Sequence, residues 1–372
     1  SEVAGGTFPV GRPFKAPGEP RMASTTTSLH RQSRSHELLV RLVVAIMKAS
    51  PHHPATAPLA VYFTKRFVEA FVDGLSPASK YEYETAPTFY RLFDGHLSPA
   101  DLAGKDVLDL ACAYGGKTVY HARHGHVRSI VGVETSTRKV GIATEAADRL
   151  FPGSDVVSFR VGRGEELPIG DESIDVVLAD GAFEHVQDLP KVLGECFRVL
   201  RPGGRVFALF PPYYGPVAHH LCFVTNAPFI HHLFSPATIV DAVNHLVAER
   251  PEIGTKPWPG PQRSYDGREV LPRLNGTTER GFRQLVSASA FEVIDIHLVP
   301  FAWSPGGTFK RAVHFACKGL VRVSWPFTKD VFTSLIRCVL EKPLTSATSL
   351  PRTSVAADAG GPACGTTTGQ EM

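Results

Sequence analysis

The chain has little net charge, few cysteines and no long apolar run. It carries 39 Lys and Arg residues against 36 Asp and Glu residues, a formal net charge of +3, which gives no reason to expect nucleic acid or an acidic membrane surface as a partner. The six cysteines contain no C-x-x-C pair and no metal-ligand spacing, so we expect reduced thiols. No apolar run reaches the roughly 18 residues of a membrane span, which argues against stable membrane insertion.

The length of 372 residues allows one large core with additions. We expect four regions: a disordered leader over 1–35, an N-terminal helical cap over 36–100, a main domain over 101–343 and a disordered tail over 344–372. The Ser, Thr and Arg bias within residues 22–50 is also typical of an organelle transit peptide. The cytoplasm is the expected location, with an organelle as the alternative.

Apolar strand segments alternate with helical segments in the middle of the chain. This alternation is typical of an α/β protein with a parallel, doubly wound sheet. Two long interruptions of this rhythm, over 211–277 and 302–331, are predicted to be insertions. The predicted strands cover residues 106–111, 129–134, 156–161, 174–180, 205–210, 291–299 and 333–341.

The first of these strands ends in an acid and leads into a turn of small residues. Asp109 falls where the strand would leave the sheet, and Ala111, Ala113 and Gly115 keep the turn narrow. Backbone amides can therefore approach a ligand at the start of the next helix. The glycine fingerprint of dinucleotide folds needs three glycines here, and two of those places hold alanine. The turn therefore suits a nucleotide cofactor without a pyrophosphate, and it argues against a nicotinamide-dependent oxidoreductase.

Four motifs occur in the order found in the class I S-adenosylmethionine-dependent methyltransferases, which the chain resembles from about residue 83 to about residue 343. The resemblance is strongest to the group that acts on small molecules and lipids. It implies a Rossmann-like, mostly parallel seven-stranded sheet with an antiparallel last strand, S-adenosyl-L-methionine as cofactor, and insertions on the substrate side. The motifs are residues 107–116, Gly132-Val133-Glu134, Glu165-Glu166-Leu167-Pro168, and residues 198–204.

The resemblance assigns residues to the methionine end of the cofactor. Asp109, with the backbone of Ala111 and Gly115, would face the amino and carboxylate groups. Asp180 and Ala182, which follow the fourth strand, would line the same end.

The ribose and adenine need other groups. A single carboxylate can accept both hydrogen bonds of a ribose diol, and Glu134 ends the second strand where the fold delivers it, although nicotinamide folds use an acid at the same place. The family usually has Asp and a small residue ahead of the Leu-Pro pair, whereas this chain has Arg163 and Gly164. The backbone amide of Gly164 and the carboxylate of Glu165 are the remaining candidates for adenine.

The acceptor side contains several histidines and tyrosines. His185 is the candidate general base, because imidazole titrates close to neutral pH. Tyr213 and Tyr214 are candidates for substrate contact, and a packed turn would explain them equally well. The pairs 219–220 and 231–232 are adjacent histidines that point to opposite faces of a strand, and they lack the i, i+4 spacing of helical ligands. No metal site is therefore expected.

These observations predict a methyltransferase that acts on a small-molecule or lipid-like acceptor. We expect transfer to oxygen, in specialised or quinone-like metabolism by analogy with the fold. Transfer to nitrogen or carbon is the nearest alternative. The altered turn and Arg163 leave a non-catalytic partner subunit with the same fold as a second alternative. The sequence leaves the oligomeric state open.

Overall fold

The computed structural model describes residues 34–49, 73–221, 224–225, 227–250, 257–301, 319 and 329–344. Most of the predicted leader, with part of the candidate transit peptide, lies outside these residues, as does nearly all of the second insertion and of the predicted tail. The first helix begins at Arg34, so the last two residues of the predicted leader are helical.

Eight α-helices and nine strands occur in the described part of the chain. None of these helices is long and apolar enough to cross a membrane. The helices are α1 (Arg34–Ala49), α2 (Pro77–Leu92), α3 (Gly116–Gly125), α4 (Thr137–Leu150), α5 (Leu189–Val199), α6 (Ile230–Leu233), α7 (Pro236–Glu249) and α8 (Glu279–Ala288). The strands are β1 (Asp106–Leu110), β2 (Ser129–Glu134), β3 (Val157–Val161), β4 (Ile174–Asp180), β5 (Leu200–Phe210), β6 (Gln262–Arg263), β7 (Glu269–Val270), β8 (Glu292–Pro300) and β9 (Thr333–Glu341).

Seven of the strands form one sheet in the order β3-β2-β1-β4-β5-β9-β8. β1 to β5 pair in parallel, whereas β9 is antiparallel to both of its neighbours, which confirms the predicted fold class. The strand order reverses between β1 and β4. In open α/β sheets the carboxyl ends of the strands at such a reversal form the ligand-binding crevice.

Helices cover both faces of the central strands, which explains why these strands are apolar without alternation. On one face Leu108 and Val177 pack with Val192 of α5. On the other face Val107 packs with Phe93, which follows α2. Burial on both sides fixes where β1 and β4 end, and therefore where their terminal acids lie.

A third apolar cluster joins α1 to the first insertion rather than to the sheet. Val43 and Met47 of α1 pack in one cluster with Leu246 of α7. The two helices are also joined by an ion pair of 2.7 Å between Lys48 and Glu249. The predicted N-terminal cap is thus divided in this structure, since α2 packs against α3 instead.

Candidate functional site

The turn after β1 adopts the conformation that glycine usually provides, although two of its residues are alanine. Ala111, Ala113 and Gly115 have φ values of 60°, 48° and 76°, all in the left-handed region. This conformation costs roughly 1–2 kcal/mol for an L-residue with a Cβ atom. Strained backbone of this kind clusters at ligand sites. The turn therefore has the shape expected of a cofactor-binding turn, although two of its residues are alanine.

The carboxylate of Glu82 occupies the start of α3. It accepts hydrogen bonds from the backbone amides of Tyr114 at 3.1 Å and Gly116 at 2.8 Å, and the residue is 3% exposed. The amides at a helix N-terminus otherwise attract phosphate or another anion. With an acid already in place, the crevice disfavours a phosphorylated ligand. Sequence reasoning missed Glu82, because its partners are 32 and 34 residues away.

Two further carboxylates lie next to this turn, around one ammonium group. Asp109 is buried and accepts a hydrogen bond of 2.5 Å from the hydroxyl of Thr118. Burial raises the pKa of Asp109 to about 7, although the bond from Thr118 and the charge of Lys117 oppose the shift. Lys117 donates to Asp180 at 2.5 Å. Burial alone would lower the pKa of Lys117, but the charge of Asp180 raises it overall.

Glu134 lies at the end of β2 as predicted, and its carboxylate has partners within the protein. It accepts hydrogen bonds from the Ser136 amide at 3.0 Å, the Thr135 hydroxyl at 3.1 Å and the Lys139 ammonium at 3.3 Å. A carboxylate has about four acceptor positions. A bound diol would therefore use the remaining position and compete with one of these donors. The ribose contact stays a prediction.

One of the two predicted adenine residues, Glu165, lines an open cleft. Gly164 is buried beside Val192, which would lie 3.2 Å from a Cβ atom at that position. Glu165 accepts hydrogen bonds from the backbone amides of Gln187 at 2.7 Å and Asp188 at 3.2 Å, and thereby fixes this loop to the start of α5. Both adenine contacts stay predictions. The cleft has a volume of about 500 Å³ and is lined by Arg163, Glu165, Glu166, Gln187, Asp188, Lys191 and Tyr265.

The loop after β4 carries the candidate base. His185 is exposed, and its Nδ1 donates a hydrogen bond of 2.7 Å to the backbone carbonyl of Arg273. Because a carbonyl only accepts, this bond places a proton on Nδ1, and in the neutral ring the lone pair is then on Nε2. Nε2 lies 3.8 Å from Oε1 of Glu184. Ala182, on the same loop, is fully buried in the core, so its contact with the methionine end stays a prediction.

The first insertion holds this loop in place through Asn275. The side-chain amide of Asn275 donates to the carbonyls of Phe183 at 2.6 Å and Val186 at 2.9 Å. Its carbonyl oxygen accepts from the amide of Thr277 at 3.0 Å. Asn275 is 1% exposed, and sequence reasoning missed it because no motif surrounds it.

The two candidate substrate tyrosines are packed in different ways. Tyr213 is buried, and its hydroxyl accepts a hydrogen bond of 3.3 Å from the amide of Leu271. Burial raises its pKa to about 12. Tyr214 is partly buried and stacks on His231 with an angle of 7° between the rings. Tyr213 also borders a small cavity beside Glu184, so it lies close to the loop after β4.

The histidine pairs have separate roles. His219 bridges the carbonyl of Ala227 and the amide of Leu221, both at 3.0 Å. His232 contacts the carbonyl of Tyr214 at 2.8 Å. These two side chains hold the insertion together. His220 differs, because its ring centre lies 4.9 Å from that of His185.

Comparison with known proteins finds a similarity in the middle of the chain. Residues 108–208 match the family model described as a methyltransferase domain. The match and the sheet order support the class I methyltransferase fold that the motifs predicted.

Two relatives match this region at similar identity. A phthiotriol/phenolphthiotriol dimycocerosates methyltransferase of Mycobacterium tuberculosis is 37% identical over 113 residues, which cover 30% of this chain and 40% of the relative. A ubiquinone biosynthesis O-methyltransferase of Rhizobium etli is 37% identical over 111 residues, covering 30% of this chain and 42% of the relative. The chain thus spans about two fifths of the curated relatives it matches.

Among solved structures, one similar chain is a putative S-adenosylmethionine-dependent methyltransferase from Listeria monocytogenes. It is 15% identical, with a TM-score of 0.42, and the match covers 69% of this chain and 99% of that one.

Proposed function

We propose that this chain binds S-adenosylmethionine and transfers its methyl group to a small-molecule or lipid-like acceptor, at oxygen. The observation that carries the proposal is the group of carboxylates of Glu82, Asp109 and Asp180 around the single ammonium group of Lys117. S-adenosylmethionine brings a sulfonium, an ammonium and a carboxylate group to this end of the crevice, with a net positive charge. A negative environment attracts such a cation, and the acid at the start of α3 disfavours a phosphate.

The proposed cofactor contacts follow the path of the crevice across the sheet. At the methionine end the contacts are Asp109, the backbone of Ala111 and Gly115, Asp180 and Ala182. Glu134 binds the ribose, and Gly164 and Glu165 border the adenine. Support comes from their position at or next to the carboxyl ends of β1 to β4.

The cofactor supplies an electrophilic methyl group. In the proposed step the acceptor oxygen forms a bond to the methyl carbon while the carbon–sulfur bond breaks, and the hydroxyl proton passes to a base. His185 is the proposed base, because the bond to the Arg273 carbonyl leaves the lone pair on Nε2. Tyr213 and Tyr214 are proposed to border the acceptor. Alignment of the two reactants can lower a barrier by roughly 7–11 kcal/mol, so loss of the base slows the step without abolishing it.

The names of the two relatives support the acceptor class. One is named for a mycobacterial lipid and the other for O-methylation in ubiquinone biosynthesis. Transfer to nitrogen or carbon remains the alternative within the same fold, and a screen of acceptors with a labelled methyl donor separates the three. The proposed location is the cytoplasm, which three buried free cysteines support. A fluorescent fusion tests this location.

The test of the cofactor is calorimetric titration of the full chain with S-adenosylhomocysteine and, separately, with NADH. We expect saturable binding of S-adenosylhomocysteine alone. Glu134→Ala removes a charged acceptor worth about 1.5–3 kcal/mol, so affinity should fall roughly 10- to 150-fold. Glu145→Ala is the control, because Glu145 is an exposed acid on α4.

Each outcome of this titration decides between functions. Binding of NADH would contradict the proposal in favour of an oxidoreductase. Absence of binding by the folded protein would favour the non-catalytic partner subunit. Equal affinities of wild type and Glu134→Ala would remove Glu134 from the ribose site.

A further inference from the structure

Three side chains with metal-ligating atoms converge on the acceptor side of the crevice. Glu184 and His185 come from the loop after β4, and His220 comes from the first insertion. One ligand atom from each lies within 4.8 Å of the others. We infer that these residues bind a divalent transition-metal ion, with Zn²⁺ as the best match. Two imidazole nitrogens and one carboxylate oxygen are a recurrent donor set for such ions.

Glu184 gives the first independent support. It is 6% exposed, and its Oε2 has no hydrogen-bond partner within the described residues. A buried acceptor without a partner is unfavourable, and more so when it is charged. The cavity of about 10 Å³ beside Glu184 is lined by neither His185 nor His220, so it does not bear on the site. The orphaned oxygen leaves Glu184 with an acceptor position for a cation.

The orientation of His185 gives the second independent support for a metal site. Its Nδ1 donates to the Arg273 carbonyl, which leaves the lone pair of the neutral ring on Nε2, and Nε2 lies 3.8 Å from Oε1 of Glu184. Two acceptors that face each other at this distance repel unless a proton or a cation lies between them. Metal-bound histidines usually donate their other ring N–H to a carbonyl or carboxylate in this way.

His220 completes the set from a different element. Its φ of 56° places a residue with a large side chain in the left-handed region, so the insertion accepts strain to present it there. The ring centre of His220 lies 4.9 Å from that of His185, so the two imidazoles can approach one ion. Sequence spacing could not reveal this site, because 35 residues separate His220 from His185.

The atoms need only a small movement to bind the ion. A tetrahedral Zn²⁺ with bonds of about 2.0–2.1 Å places its ligand atoms about 3.3 Å apart. Three protein ligands also leave one position open. If an acceptor hydroxyl binds there, the ion would lower its pKa, and its proton would pass to water more readily. This use of the metal rests on the proposed function, whereas metal binding itself does not. In the metal-bound state His185 is a ligand and the ion lowers the pKa of the acceptor hydroxyl, so His185 would act as the base only in the metal-free protein.

The experiment measures metal binding without the methyl donor. The purified full chain is stripped with a chelator and titrated with Zn²⁺ in competition with a chromophoric chelator. We expect one equivalent to bind and Glu184→Gln and His220→Asn each to weaken binding by at least about tenfold. His245→Asn is the matched control, because this histidine lies exposed on α7. Wild-type affinity in both site variants, or no stoichiometric binding, would overturn the inference.

A second measurement is independent of how the variants fold. Co²⁺ substituted into the wild-type chain should give visible absorption bands of tetrahedral nitrogen and oxygen coordination. An octahedral spectrum, equal to that of Co²⁺ in buffer, would overturn the inference. Titration of the stripped protein with S-adenosylhomocysteine is run in parallel. Cofactor binding without metal binding rejects the metal site alone, and metal binding without cofactor binding rejects the proposed function alone.

Discussion

At the scale of single residues, the environments at the two ends of β1 shift the pKa values of their aspartates in opposite directions. Asp106 begins the strand, where the side-chain hydrogen bond from Arg128 holds its pKa well below the usual range. Asp109 ends the strand inside the protein, where burial raises its pKa to about 7. The same residue type is thus a permanent ion pair at one end and a titratable group at the ligand end.

Asp109 makes stability depend on pH. Its folded pKa of about 7 exceeds the ordinary Asp value of 3.8, so the folded state holds a proton that the unfolded state releases. The free energy of unfolding should fall as pH rises from about 4 to about 7, by up to the order of 4 kcal/mol. Asp109→Asn keeps an acceptor for Thr118 and should flatten this slope. It should also be the more stable protein at pH 8.

Urea unfolding between pH 4.5 and 8 measures this slope. Asp148→Asn is the control, since Asp148 is an exposed acid on α4. A slope in Asp109→Asn as steep as that of the wild type would show that other groups cause the dependence.

At the scale of elements, the contact between α2 and the turn after β1 shapes the crevice. A Cβ atom at Gly116 would lie 1.9 Å from the carbonyl oxygen of Ser79. Gly116→Ala must therefore push α2 away and pull Glu82 off the amides of α3. We expect a loss of more than about 2 kcal/mol in the free energy of unfolding. Affinity for S-adenosylhomocysteine should fall as well.

Gly141→Ala is the matched substitution for this experiment. Gly141 lies in α4 with no atom within 4 Å of an added Cβ, so alanine should stabilise the protein by about 0.5–1 kcal/mol. Denaturant unfolding compares the two. Equal stability of Gly116→Ala and the wild type would mean that α2 is not held tightly against the turn.

Asn275 is the corresponding contact on the acceptor side. Asn275→Ala leaves the carbonyls of Phe183 and Val186 without their donors, which we expect to cost about 2–4 kcal/mol and to loosen the loop that carries His185. Hydrogen exchange at residues 181–187 should accelerate. Asn244→Ala removes a similar pair of bonds to Trp258 and should leave that loop unchanged. Similar exchange in both variants would contradict the role of Asn275.

The elements themselves were largely predictable, and the contacts between them were not. β1 was visible as an apolar run that ends in an acid, and the predicted bounds of β4 agree with the structure. β5 begins at Leu200 instead of Arg205, because the strand continues through Gly203 with a shift of register. Glu82 and Asn275 escaped prediction because each meets backbone groups at least 32 residues away, which no local pattern encodes.

At the scale of the whole molecule, the described chain contains apolar clusters on the two faces of the sheet and a separate one in the first insertion. The sequence predicted a helical cap that includes most of α1, but it did not reveal the partner of this helix. α1 precedes the sheet in the sequence, yet it packs on α7 of the first insertion. The insertion on the proposed acceptor side is therefore supported by a helix from the N-terminal part of the chain. Loosening α1 should therefore affect the acceptor side more than the cofactor side.

Met47→Ala tests this arrangement. Met47 is fully buried between α1 and the insertion, so its truncation should cost about 2–5 kcal/mol locally. Hydrogen exchange in α7 should accelerate while amides of β1 and β4 stay protected, and the affinity for S-adenosylhomocysteine should change less than twofold. Leu38→Ala on the same helix is the control, because Leu38 is 66% exposed. Equal loss of protection in β1 would mean that the insertion and the sheet unfold as one unit, and α1 would then support the cofactor side as much as the acceptor side.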